Sequence, residues 1–158
     1  MPLYNVPFLP FGVSGPVLEQ EYDIPFGRAV IRREGRDVTI VAVALMVHRA
    51  LAVADRLARE GIDVEVVDLR TLVPLDRKTV VESVTKTGRL LVVDEDYLSF
   101  GMSAEIAATA CEALEGKLRR APSRIAVPDV PIPASHSLEQ YVIPSEERIH
   151  SSVKALMR

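Results

Sequence analysis

The sequence predicts an α/β domain of three layers, with helices on both faces of a mixed, mainly parallel sheet of five strands. Three observations lead there. From Gly27 onward, β-rich runs alternate with stretches of helical periodicity, the pattern that builds parallel sheets. One run, Arg89 to Asp94 (RLLVVD), is apolar almost throughout, as expected of a strand covered on both faces. The chain has 158 residues, 48% hydrophobic and 26% charged, which suits one soluble domain with a core of its own.

The first 26 residues stand apart. They hold five of the eleven prolines and no basic residue. Proline removes amide donors and disfavours helix in the residue before it, so this stretch is expected to run extended, as an arm or interdomain linker ahead of a domain over 27–158. It also carries Tyr4, Phe8, Phe11, Tyr22 and Phe26, aromatics that suit packing on a surface.

The regular elements follow in order. Arg28 to Arg33 and Asp37 to Ala44 are β-rich and are joined by Glu34-Gly35-Arg36, which reads as a hairpin. Val47, Ala50, Leu51, Ala54 and Leu57 share one helical face, with Arg49, Arg56 and Arg59 off it. Gly61 reads as a cap, and Asp63 to Asp68 as a strand. Asp76 is placed to cap a helix carrying Val80, Val81 and Val84, which Gly88 ends. After the Arg89 run, Ser103 is placed to cap a helix with Ile106, Ala107, Ala110, Cys111 and Leu114 inward. Arg124 to Val127 is a short fourth parallel-type strand, and Pro128 to Pro133 crosses the surface. Ser145 caps a last helix whose first turn holds Glu146 and Glu147, where the helix dipole favours them. His150, beside Ile149, reads as solvent-facing.

Composition narrows the function. A net charge of −3 and a pI near 5.7 give no nucleic-acid footprint and no polybasic membrane surface. The longest apolar run, Ile40 to Val47, is too short to span a bilayer. One cysteine, Cys111, leaves no internal disulfide framework and fits a reducing compartment such as a bacterial cytoplasm. Cys111 itself reads as a buried small hydrophobe.

The usual chemical signatures are missing. There is no GxGxxG or GxxxxGK, and Gly12-Val13-Ser14-Gly15 lies in the arm. The loop after the second β-run, Ala44-Leu45-Met46, lacks the glycine that close approach to a pyrophosphate needs. Ser135 and His136 are neighbours, but in an extended stretch they point to opposite sides, without a nucleophile elbow. No His/Cys spacing suggests zinc. The best bare-sequence site is Asp94-Glu95-Asp96, past the carboxyl end of a buried strand, where open α/β sheets place their crevices. Such carboxylates hold a hard cation or exchange protons, or merely accept hydrogen bonds that shape a loop. His48, near the start of a helix, is a candidate for the same crevice. No catalytic, cofactor-binding or metal-binding residue is assigned from these patterns.

Several stretches in order resemble one family. They are Glu21-Tyr22-Asp23-Ile24-Pro25-Phe26-Gly27-Arg28-Ala29, REGRDVTIVAVALMVHRAL, VEVVDLRTLVPLD, SVTKTGRLLVVDED, GMSAEIAA and PDVPIPASHSLEQYVIPSEERI. From about Glu19 to the end the chain resembles the carboxyl-terminal, transketolase-type domain of the β subunit of thiamine-dependent 2-oxo acid dehydrogenases. The wording DEDY and GMSAEIAA is similar to the acetoin and branched-chain types. The resemblance implies a transketolase C-terminal domain-like fold. It also implies a role in subunit assembly and in docking the lipoyl acyltransferase, during oxidative decarboxylation of a 2-oxo acid.

The pyrimidine-binding domain, which in the family carries the catalytic glutamate, has no counterpart in this sequence, so the chain alone is not expected to turn over. Thiamine diphosphate and magnesium are implied for the assembled parent enzyme and none for this chain alone. The partners implied are an α subunit, a second β subunit in a homodimer, and the subunit-binding domain of the acyltransferase. Glu139 and Arg148, near the PxPxSxxLE region and the last helix, are the candidate interface residues. Departures from the family are Ala44-Leu45 where Gly-Ser is common, Phe100 where many relatives have glycine, and Ala134 and His136 for an aromatic and a proline. Pro131, Pro133, Ser135, Leu138 and Glu139 fit the pattern. The alternative is a stand-alone regulatory or ligand-binding domain that uses the crevice at His48 and Asp94-Glu95-Asp96.

Overall fold

The computed structural model describes residues 22–158. Of the expected arm, residues 1–21 lie outside that range, and residues 22–25 carry no regular secondary structure. Ten elements follow: β1 (Val30–Arg33), β2 (Val38–Ala42), α1 (Leu45–Arg59), β3 (Val64–Asp68), α2 (Arg77–Thr87), β4 (Leu90–Tyr97), α3 (Met102–Ala113), β5 (Ser123–Val127), α4 (His136–Val142) and α5 (Glu146–Met157). The strands form one sheet in the order β1-β3-β2-β4-β5. Four strands are parallel, and β1 is the antiparallel edge beside β3. The predicted fold class is therefore the observed one.

Side-chain alternation along the strands separates two cores. Val38, Ile40, Val64, Val66, Leu91 and Val93 face α1 and α5, packing on Met46, Ala50, Val53, Leu57, Ile149 and Val153. Val41, Val67, Leu90 and Val92 face α2 and α3, against Val80, Val84, Ile106, Ala110 and Leu114. Both faces are covered, which is why the parallel strands read as apolar runs. The α2 side also buries a chain of hydroxyls, Thr39 to Ser83 at 2.8 Å and Thr39 to Thr87 at 2.9 Å. Each hydroxyl there meets another, so burying them leaves no orphaned polar atom.

The predicted hairpin is absent. β1 and β2 adjoin in sequence, but β3 lies between them. The amides of Arg36 and Asp37 both donate to the carbonyl of Asp63, at 3.0 and 2.9 Å, so the connection steps across the start of β3. Gly35 makes that step possible, because a Cβ there would sit 2.2 Å from the Val64 carbonyl carbon. The Arg33 guanidinium reaches over to the Val64 carbonyl and fixes the crossing.

The caps divide. Asp76 accepts from the Thr79 amide at 3.0 Å and starts α2, which Gly88 closes at φ 71°. Ser145 accepts from the Arg148 amide and starts α5. Ser103 is not a cap: α3 starts at Gly101, and Ser103 lies buried inside the first turn. The inward stripe of α3 is Ser103, Ile106, Thr109 and Ala110, which turns Cys111 to solvent. Of the expected stripe, Ile106, Ala110 and Leu114 are buried, Ala107 is half-buried and Cys111 is exposed.

Candidate functional site

The parallel strands end at one edge of the sheet, and the described surface is least like an ordinary soluble one there. β1 runs the other way, so the chain enters β1 from this same edge. Gly27 donates to Thr71 Oγ1 at 2.9 Å and Ala29 to Asp76 Oδ2 at 2.9 Å, which pins the entry to the loop after β3. Large apolar side chains stand exposed on four connections at this edge, all but the one from β2 to α1. Ile24 and Phe26 precede β1, Leu72 and Val73 follow β3, Leu98 and Phe100 follow β4, and Val130 and Ile132 follow β5. Leu138 and Tyr141 add to them from α4. Of the exposed large hydrophobic residues, only Ile31 sits within β1 on the open face of the edge strand. Isolated exposed hydrophobic residues need no explanation, whereas a contiguous set marks an interaction surface.

Phe100 is the extreme case. Its side chain is fully exposed, and its backbone is left-handed at φ 61°. The loop around it is held firmly: Ser99 donates to Asp129 through its amide at 3.2 Å and its hydroxyl at 2.6 Å, and Arg124 donates to the Leu98 carbonyl at 3.0 Å. Tyr97, Phe100, Val130 and Pro131 line a groove of about 460 Å³ between the β4 and β5 loops. Two further non-glycine residues have positive φ at this edge: Ala44, at the end of β2, with φ 51° and ψ −128°, and Arg70, after β3, with φ 59°.

The acidic triad divides along β4. Asp94 is buried, whereas Glu95 and Asp96 are exposed. Asp94 accepts from the Asp96 amide at 3.0 Å, and its other carboxyl oxygen has no partner. Burial, with the Asp96 carboxylate nearby, pushes the Asp94 carboxyl above its ordinary range, against the pull of the Ser103 and Glu95 amides. Glu95, though exposed as a residue, is pushed up by partial desolvation of its carboxyl and by Asp94, against the attraction of Arg49. His48 is exposed on α1, and no hydrogen bond or ion pair joins it to the triad among the described residues.

Glu139 and Arg148 make different contacts. Glu139 faces His136 at 3.9 Å within α4, and Arg148 donates to the carbonyls of Val142 and Ala126 at 3.4 Å, tying α5 to β5. Ser135 and His136 lie at the start of α4, not in an extended stretch. His150 is tied to Glu60 at 2.7 Å with its side chain mostly covered, so it does not face solvent. Arg49, read as outward, is buried, because α4 and the Pro144 turn close over that flank of α1. The α1 periodicity alone carries no sign of that cover. Exposed aromatics in loops were the available signal for the apolar edge, and Phe100 the sharpest of them.

A thiamine diphosphate cradle is not found among the described residues. No group of three or more His, Cys, Asp or Glu is placed to hold a metal ion there. Three helix starts have carboxylates or turn bonds of their own. Asp76 caps α2, and Glu146 and Glu147 fill the first turn of α5. At α1 the Met46 and Val47 amides are bonded to the Val43 and Ala44 carbonyls.

Residues 27–149 match the family described as transketolase, C-terminal domain. The chain belongs to the transketolase C-terminal domain family. Within it, the resemblance to 2-oxo acid dehydrogenase β subunits is borne out. The chain is 46% identical over 148 residues to the acetoin:2,6-dichlorophenolindophenol oxidoreductase subunit beta of Cupriavidus necator, covering 94% of this chain and 44% of that protein. It is 44% identical over 144 residues to the mitochondrial pyruvate dehydrogenase E1 component subunit beta of Pisum sativum, covering 91% and 40%. It is 36% identical over 145 residues to the 2-oxoisovalerate dehydrogenase subunit beta of Bacillus subtilis, covering 91% and 44%. This transketolase C-terminal domain thus spans less than half the length of these relatives. Among solved structures it is similar to a "split gene transketolase, inactive beta4 tetramer", with a TM-score of 0.77 and 28% identity over 90% of this chain and 46% of that one.

Proposed function

We propose that this chain serves as the carboxyl-terminal domain of a 2-oxo acid dehydrogenase β subunit, working in subunit assembly and in docking the lipoyl acyltransferase. The parent enzyme decarboxylates a 2-oxo acid on thiamine diphosphate and passes the acyl group to a lipoyl arm. This domain contributes surface to that work, and the chemistry belongs to the partner portions. One observation carries the reading. A fully exposed phenylalanine is held in left-handed backbone on a tightly bonded loop, within an edge of exposed apolar side chains. Such a residue gains nothing from its own fold and strains it, so its use lies in what covers it. An α chain and a second β chain are the partners that fit.

The test mixes the full chain with the α subunit of a 2-oxo acid dehydrogenase and follows sedimentation and turnover. The chain is expected to self-associate and to bind the α subunit, and to give no turnover alone with 2-oxo acid, thiamine diphosphate and an electron acceptor. A monomer at every concentration that ignores the α subunit would sink the proposal.

A further inference from the structure

Beside the apolar edge lies a second, polar feature. A cavity of about 350 Å³ opens where α1, α4 and α5 meet, lined by Arg49, Gln140, Ser145, Glu146 and Glu147. That size is at the lower end for small-molecule sites, ~300–1,000 Å³. Its floor is unusual. Arg49 is 96% buried, since it is 4% exposed, yet among the described residues no carboxylate lies within ion-pair distance of it. Its guanidinium donates to the Pro144 carbonyl and, at 3.1 Å, to Gln140 Oε1. Neither acceptor carries charge. Glu95 attracts the guanidinium only from beyond ion-pair distance. A buried guanidinium without a directly paired carboxylate is costly, and a bound carboxylate, held bidentately, answers that cost.

The neighbours narrow the ligand. Gln140 accepts from Arg49 through its oxygen, which leaves its amide nitrogen as a donor. Ser145 accepts from the Arg148 amide at 3.3 Å, which leaves its hydroxyl proton to give. These three groups form a carboxylate-binding set. The rim is acidic, because Glu146 and Glu147 line the cavity and share only Arg56, at 3.7 and 3.5 Å. A simple anion is drawn to Arg49 and repelled by the rim. A simple cation is drawn to the rim and repelled by Arg49. A zwitterion satisfies both.

We infer that this cavity binds a free amino acid, its carboxylate on Arg49, Gln140 and Ser145 and its ammonium on Glu146 and Glu147. The site is distinct from the apolar edge and goes beyond the assembly role. Its test therefore reads separately from sedimentation.

The experiment is a two-dimensional amide NMR titration of the full chain with L-alanine, L-leucine, acetate and ethylammonium, each to about 10 mM, beyond the weak end of specific affinities. The amino acids are expected to shift the Gln140, Ser145 and Glu146 amides, and the two half-ligands to leave them in place. Glu147→Gln, at an exposed position, is expected to weaken amino-acid binding about tenfold without touching the fold. Arg49→Lys, which keeps charge but loses the fork, is expected to weaken it further. Three outcomes overturn the inference: no shift with any amino acid, equal binding of acetate, or unchanged affinity in Glu147→Gln. A cavity that takes only an acidic segment of a partner protein would give the first of these.

Discussion

Replacing Phe100 with glycine separates folding from assembly. The side chain is fully exposed, so its removal costs the core nothing. Its backbone, at φ 61°, sits where a residue with a Cβ is strained by ~1–2 kcal/mol. Glycine relieves that strain but adds freedom to the unfolded chain, taking back ~0.5–1 kcal/mol. The variant is therefore expected to be between unchanged and about 1.5 kcal/mol more stable in urea melts. Assembly moves the other way. Covering an aromatic ring removes ~150–250 Å² from water, a ceiling of ~4–6 kcal/mol at ~25 cal/mol/Å². Truncating a central interface aromatic costs ~2 kcal/mol or more, which is about 30-fold in dissociation constant. Urea denaturation reads the first quantity and sedimentation across a concentration series reads the second. A variant that loses more than about 1 kcal/mol of stability would show that Phe100 supports the fold. One that associates as wild type would show that the edge is not what partners cover.

Other expectations concern the ties that shape this edge. Asp76→Ala removes the α2 cap, worth ~1 kcal/mol, and leaves the Ala29 amide without its acceptor, ~1–3 kcal/mol more. Asp76→Asn keeps one oxygen and is expected to fall between, with amide exchange speeding first at Val30 and Ile31; equal exchange in all three proteins refutes the tie. Burial raises the Asp94 carboxyl above its ordinary 3.8, so the folded state holds that proton more tightly than the unfolded one. The stability tied to it is full below 3.8 and is lost as pH rises through the raised value. The stability of Asp94→Asn relative to wild type is accordingly expected to increase with pH, and a constant difference from pH 4 to pH 7 would contradict it. Ala44→Gly relieves a backbone at φ 51°, ψ −128° and is expected to raise stability by about 1 kcal/mol, measured by thermal melting.

The sequence carries the layers of this fold better than its crossings. β3, β4 and β5 are short runs of Val, Ile and Leu beside helices with clear inward stripes, and burial on both faces leaves little else for them to be. The β1–β2 pairing was misread because Glu34-Gly35-Arg36 has hairpin chemistry. Its glycine serves another purpose, clearing the Val64 backbone, and that contact lies thirty residues away in sequence. α4 was missed for a similar reason. Its seven residues follow a proline-rich stretch and bury little beyond Val142, so no apolar stripe announces it. Arg49 looked like a solvent-facing charge because a helix's own period cannot report what packs on its flank. At the site, Asp94-Glu95-Asp96 was expected just past its strand, whereas β4 runs on through all three to Tyr97. That only Asp94 is buried depends on α3 beginning at Gly101, close against the Tyr97 carbonyl.

The reversed direction of β1 also decides how the molecule can be handled. Residue 22 leaves the described domain on the side of the exposed aromatics, whereas α5 carries its last turn to the opposite end, where Arg89 donates to the Leu156 carbonyl at 3.0 Å. An affinity tag or fluorophore fused ahead of Tyr22 is delivered to the docking edge and competes with whatever binds there. The same label placed after Arg158 projects away from it. A binding measurement on this domain is cleanest with its handle at the C-terminus.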